Sequence, residues 1–224
     1  MQPHAGQPVL RAGSDPRTAR AAMIMVHGRN AGPANILDFA PVLARPEFLY
    51  VAPAASGGTW YPNSFMAPRE RNEPGISSGL FVIESLVADL MTQGFPPEKI
   101  MLLGFSQGAC LTSEFSIRHP RRYGGVMVLS GGLIGAPGTT WDDVTISLDG
   151  TPVFLGCSDV DSHIPAERVL ESEAVFRRLG AAVVRKLYPG MPHTVIGDEI
   201  EHVQRAMDAV LGVGDWAGSE APVR

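Results

Sequence analysis

The sequence predicts an α/β domain built on a mostly parallel, doubly wound sheet with helices on both faces. Three observations predict it. Short, nearly continuous apolar runs alternate with longer stretches of helical period. The runs lack in–out alternation, as strands covered on both faces do. One of them, Ile100-Met101-Leu102-Leu103, passes through Gly104-Phe105-Ser106-Gln107-Gly108 straight into a helical pattern. That is the strand–turn–helix setting of a nucleophile elbow, in which a tight turn lifts the serine hydroxyl clear of the backbone.

The strands are expected at Ala21–Val26, 47–52, 99–103, Gly125–Leu129, 152–155 and Ala182–Tyr188, with Val9 in an extra edge strand. Between them, Ile76, Leu80, Ile83, Val87 and Leu90 recur at helical spacing, and Gly94 follows as a stop. A helix over 106–119 ends at Pro120, whose ring disfavours helix in the residue before it. Pro165 suits the first turn of a helix running to Leu179, with Gly180 as its stop. Ile200, Val203, Met207 and Val210 mark a last helix ending near Gly212. The domain organisation expected is an extension over 1–18, one domain over 19–212 and a disordered tail over 213–224. Two long irregular stretches, 53–78 and 131–150, follow strands. Both should rise over the carboxyl edge of the sheet and wall a substrate pocket, without forming a separate cap domain.

Composition narrows the function. At 224 residues and 45% hydrophobic, the chain can bury a core of enzyme size. A net charge of −5, without basic clusters, gives nucleic acid or an anionic membrane no footing. No apolar run is read as a membrane span and no leader pattern opens the chain, so a cytoplasmic protein is expected. Cys110 and Cys157 read as buried small apolar residues, not a disulfide.

A serine hydroxyl is a weak nucleophile at neutral pH and needs a base, which in turn needs an acceptor to orient it. In sheets of this type the acid and then the histidine follow the serine, each on a loop after a later strand. The loop after 152–155 carries Asp159, Asp161 and His163, and the loop after Ala182–Tyr188 carries Gly190-Met191-Pro192-His193. His193 is therefore the expected base for Ser106. The residues alone leave Asp159 and Asp161 both open as the acid. His163 stands too close to Asp161 in sequence to bridge acid and serine, and reads as a pocket-rim residue. His4, His119 and His202 lie in the tail or on helices, and His27 shapes a loop. A metal held by Asp159, Asp161, His163 and His193 is the weaker reading, because the serine set is already complete; no metal or cofactor is expected.

Two backbone donors should face a developing oxyanion. One is the N–H of Gln107. The other is the N–H of Arg29, which follows Gly28 in the loop after Ala21–Val26. The Arg29 side chain is either solvated or set against an acidic substrate group. Trp60, Phe65, Met66 and Leu133 are expected as apolar pocket walls, with burial in the core as the competing reading. Arg69 and Arg71, beside Glu70 and Glu73, read as a solvated face.

Six marks in order resemble the phospholipase/carboxylesterase family of α/β-hydrolases, which includes the acyl-protein thioesterases. They are Val26-His27-Gly28, Ala52-Pro53-Ala54 followed by Trp60-Tyr61, Gly104-Phe105-Ser106-Gln107-Gly108, Leu129-Ser130-Gly131, Asp161-Ser162-His163-Ile164-Pro165 and Gly190-Met191-Pro192-His193. The resemblance spans roughly 21–211. It implies an α/β-hydrolase fold and hydrolysis of carboxylic esters or thioesters through an acyl-enzyme. It also implies Asp161 as the acid, since the family aspartate stands four residues before a proline, as Asp161 does before Pro165. Two departures bear on substrate. Arg29-Asn30-Ala31-Gly32 follows His-Gly, and the stretch 63–74 differs from the thioesterase pattern. They favour a small, largely apolar ester over a lipidated protein. A long-chain thioesterase or lysophospholipase, or a non-catalytic binding module, are the alternatives. Self-association into a homodimer is compatible with all of them.

Overall fold

Residues of each central strand alternate between two cores, which is why the apolar runs show no polar face. In β2 (Ala21–Val26), Ala22, Ile24 and Val26 enter one core and Ala21, Met23 and Met25 the other. β4 (Ile100–Phe105) and β5 (Gly125–Leu129) divide in the same way. The computed structural model describes residues 2–216. Its remaining strands are β1 (Val9–Gly13), β3 (Phe48–Pro53), β6 (Pro152–Ser158) and β7 (Ala182–Tyr188). The sheet order is β1-β3-β2-β4-β5-β6-β7; β1 runs antiparallel and the rest are parallel.

Helices α3 (Gly75–Thr92), α4 (Gln107–Arg118) and α5 (Ala166–Arg178) cover the first core. Helices α1 (Pro33–Leu37), α2 (Phe39–Leu43) and α6 (Gly197–Leu211) cover the second. α1 and α2 have no counterpart in the sequence reading. Each is five residues long, too short to show a period. α3 is long and apolar enough to cross a membrane by length and composition, with a mean hydropathy of 1.4. Half of it is buried, and Ile76, Leu80, Ile83, Val87 and Leu90 belong to the first core. Cys110 and Cys157 are buried and unbridged.

The segment before β1 is tied into the fold. His4, which the sequence places in the tail, is buried at 4% exposure. Trp216, beyond α6, donates its indole N–H to the Ala182 carbonyl (2.7 Å). The rest of the expected disordered tail, 217–224, lies outside the described residues.

The parallel register fixes where chemistry can occur. Val26 pairs with Gly104, Phe105 with Leu129, Leu129 with Gly156, and Ser158 with Tyr188. The loops after β2, β4, β6 and β7 therefore leave the sheet along one edge, where ligands bind in open α/β sheets.

Candidate active site

Ser106 stands between β4 and α4 with φ 56° and ψ −121°. That is an unfavourable backbone for a residue bearing a Cβ. Two close approaches hold it. A Cβ on Gly104 would overlap the Gly108 carbonyl, and a Cβ on Gly108 would overlap the Val26 carbonyl. Glycine at both positions lets α4 start against the end of β2. The Ser106 N–H donates to Leu129 O (3.0 Å), anchoring the turn on β5.

His193 and Asp161 meet this serine from the two later loops. His193 Nε2 is 2.9 Å from Ser106 Oγ, and His193 Nδ1 is 2.6 Å from Asp161 Oδ2. The partners assign the proton on Nδ1 to the carboxylate and leave Nε2 as the acceptor for the serine hydroxyl. The imidazole lies between the rings of Phe105 and His163, with centroids 5.2 and 4.8 Å away. The Asp161 side chain is 0% exposed. Its Oδ1 accepts the N–H groups of His163 (2.8 Å) and Ile164 (3.1 Å). Burial pushes this carboxyl up, but the bonds from His193 and the two amides outweigh it and hold it below the ordinary aspartate range. Asp159 is exposed and takes a different part: its Oδ1 accepts the Gly190 N–H (2.8 Å), tying the acid loop to the histidine loop.

The segments that carry the expected oxyanion donors lie on either side of Ser106. A Cβ built on Gly28 would sit 3.4 Å from Ser106 Cβ, so the loop carrying Arg29 passes in contact with the serine. The N–H of Gln107 belongs to the first turn of α4, where no intrahelical acceptor exists. The Gln107 side chain works in another direction: Oε1 accepts the Trp60 N–H (2.9 Å), and Nε2 donates to Tyr61 O (2.8 Å).

A cavity of about 800 Å³ opens in front of Ser106, lined also by Arg29, Gln107, Phe65, His163 and His193. Phe65 and His163 thus line it as the sequence suggests. Trp60, Met66 and Leu133 do not. Trp60 is fully buried, and its indole N–H donates to His27 O (2.9 Å) behind the oxyanion loop. Leu133 is fully buried in the first core, and Met66 packs against that core. Ile36, Phe39, Phe105 and Tyr61 supply apolar wall instead. Ile36 comes from α1 and Phe39 from α2, the two helices that sequence period does not reveal. Arg69 departs from its solvated reading as well: it pairs with Glu114 of α4 (3.0 Å), whose side chain is 0% exposed.

Behind the site, two histidines are held neutral by paired bonds. His27 donates from Nδ1 to Gly28 O (2.7 Å) and accepts the Ala55 N–H at Nε2 (3.1 Å). His4 donates from Nε2 to Trp60 O (2.8 Å) and accepts the Ser56 N–H at Nδ1 (3.0 Å). Burial lowers the pKa of both. No local motif in the sequence marks His4.

The chain matches the family model for phospholipase/carboxylesterase over residues 10–211. It belongs to that family. Among its relatives, a crystal structure of a phospholipase/carboxylesterase from Dyadobacter fermentans is 39% identical, covering 94% of this chain and 99% of that one, with a TM-score of 0.87. Acyl-protein thioesterase 1 of Eremothecium gossypii is 28% identical over 89% of this chain and 94% of that protein. Acyl-protein thioesterase 1 of Gibberella zeae is 30% identical over 61% of this chain, and the match spans 58% of that protein. The fold is that of the α/β-hydrolases, and the chain is an ester- or thioester-cleaving serine hydrolase.

Proposed function

We propose that Ser106, His193 and Asp161 hydrolyse a small carboxylic ester or thioester in two steps through an acyl-enzyme. The observation that carries this reading is the continuous line from Asp161 Oδ2 through both ring nitrogens of His193 to Ser106 Oγ. His193 takes the serine proton as the hydroxyl attacks the carbonyl carbon. The tetrahedral oxyanion accepts from the N–H groups of Gln107 and Arg29. The buried carboxylate stabilises the imidazolium that forms, and that imidazolium protonates the departing alcohol or thiol. Water then cleaves the acyl-enzyme by the same proton path. The cavity of about 800 Å³ offers Phe65, Phe39 and Ile36 as apolar wall to an acyl or alcohol group. One chain carries every group this mechanism uses, so it requires no second copy. Small esters are favoured over lipidated proteins by Arg29-Asn30-Ala31-Gly32 after His-Gly and by the 63–74 stretch.

A fluorophosphonate probe and a series of p-nitrophenyl esters of rising chain length test this. The wild-type protein should be labelled and should prefer short chains. Ser106→Ala should abolish labelling and lower kcat by about 10⁴-fold or more. Turnover that survives the substitution removes Ser106 as the nucleophile. A preference for long acyl chains would favour the thioesterase or lysophospholipase alternative.

A further inference from the structure

The cavity before Ser106 carries one kind of charge. Of the described residues that line it, Arg29 is the one with a formally charged side chain; no aspartate, glutamate or lysine is among them. The Arg29 side chain is exposed, and two hydrogen bonds tether its guanidinium at the cavity. Nη1 donates to Pro62 O (2.9 Å), Nη2 donates to Asn63 O (2.6 Å), and Cζ lies 5.9 Å from the centroid of the Tyr61 ring. Both acceptors are neutral carbonyls, which fix the group without cancelling its charge. A guanidinium has five N–H donors, so three remain for another partner. Among the described residues no carboxylate pairs with it, and a tethered guanidinium matches the paired oxygens of a carboxylate or phosphate better than any other side chain does. Its place in the chain connects it to the chemistry. Gly28, the preceding residue, packs against the serine, and Arg29 and Ser106 line the same cavity, so an anion held by Arg29 shares that cavity with the serine.

We propose that the substrate is an ester bearing a second, anionic oxyacid group, and that the Arg29 side chain is the receptor for that group. This rests on the hydrolase reading of Ser106. The tether on Arg29 has a purpose here, because a pre-positioned cation loses little side-chain entropy on binding.

Matched esters test it. In the pair methyl hexanoate and monomethyl adipate, a carboxylate replaces a methyl on the acyl side. In the pair 4-methylphenyl acetate and 4-acetoxybenzoate, it does so on the alcohol side, and 4-acetoxyphenyl phosphate offers a phosphate there. The quantity read is the ratio of kcat/KM for the anionic ester to that for its neutral partner, in which any shared loss of catalysis cancels. The wild-type ratio should favour the anionic member of a pair by about tenfold or more, as a charge-assisted hydrogen bond allows. Arg29→Gln should remove most of that preference, chiefly through KM, and Arg29→Lys should keep part of it. The preference should also weaken as salt rises, which tests the idea on wild-type protein alone if Arg29→Gln fails to fold. The larger ratio on phosphate or on carboxylate names the anion. Wild-type protein that cleaves the neutral esters as well as or better than the anionic ones overturns the receptor, as does a preference that survives Arg29→Gln or is unmoved by salt. If no ester is cleaved and Ser106→Ala changes nothing, the hydrolase reading has failed instead.

Discussion

At the scale of single residues, Asp159 and Asp161 show how two neighbouring carboxylates divide the work. Asp161 is buried, bonded to His193 Nδ1 and fed by two backbone amides. Asp159 is exposed, and among the described residues its side chain accepts from the Gly190 amide alone. Asp161→Asn should lower kcat by about 10⁴-fold, because an amide there no longer holds the imidazole in the required tautomer. Asp159→Asn keeps a side-chain oxygen for the Gly190 N–H and should cost less than about tenfold. Steady-state kinetics on one ester decide between them, and a larger loss in the Asp159 variant would reverse the assignment. The residues alone leave both aspartates open, and the family resemblance singles out Asp161 by its spacing from Pro165; the same few residues form the carboxylate's amide cradle and lead into α5. The true setting of Trp60 was not readable. A tryptophan in a loop after a strand looks like a pocket wall, and its burial depends on His4, His27 and Gln107, which arrive from three distant segments.

Elements repeat that pattern, with strong local signals legible and convergent ones hidden. The strands and the helices α3 to α6 follow from runs and periods of ten residues or more, or from apolar stretches bounded by glycine and proline. α1 and α2 lack such a signal, and their helical form depends on packing Ile36 and Leu43 under the sheet. The segment before β1 is the other hidden part. Through His4 it bonds the Ser56 amide and the Trp60 carbonyl, and its own N–H reaches Ser78 Oγ (2.9 Å), so it straps the loop after β3 to α3. His4→Ala strands the part-buried Ser56 N–H and the buried Trp60 carbonyl, a loss of about 2 kcal/mol. In a domain of this size the melting temperature should fall by about 4–8 °C. Thermal denaturation of the variant checks it, and an unchanged midpoint would mean the strap carries no stability. Because Trp60 rests on the Gln107 side chain, whose backbone N–H is a proposed oxyanion donor, a drop in kcat of a few-fold should accompany the loss.

Across the whole molecule, a buried carboxyl group lies between β6 and the start of α6, beneath the site. Glu199, in the first turn of α6, is 0% exposed. Its Oε2 accepts the Ile196 N–H (3.0 Å) just after the His193 loop, and its Oε1 has no hydrogen-bond partner among the described residues. The carboxyl group lies against Gly156 of β6, the strand that leads to Asp161; a Cβ there would overlap it. Burial, above all, pushes its pKa from the ordinary 4.5 to about 7, opposed by the Ile196 amide and aided by Asp198. The unfolded chain therefore releases this proton near pH 4.5 and the folded chain near 7. Between those values the folded state binds more protons, so stability falls as pH rises through that window and levels off above it. The difference amounts to about 3 kcal/mol. Asp161 acts with the opposite sign and in a lower window. Its folded pKa is below 3.8, so its contribution is present above that value and fades as pH drops through the folded one. The two effects are separable by pH. Glu199→Gln keeps an acceptor for Ile196 and cannot ionise. Urea unfolding at pH 5 and pH 8 should show the wild-type protein losing stability between the two while the variant loses less, so that the variant gains on the wild type at pH 8 by an amount on the order of 1–3 kcal/mol. Curves that stay parallel across that range would show that Glu199 titrates alike in the folded and unfolded chain.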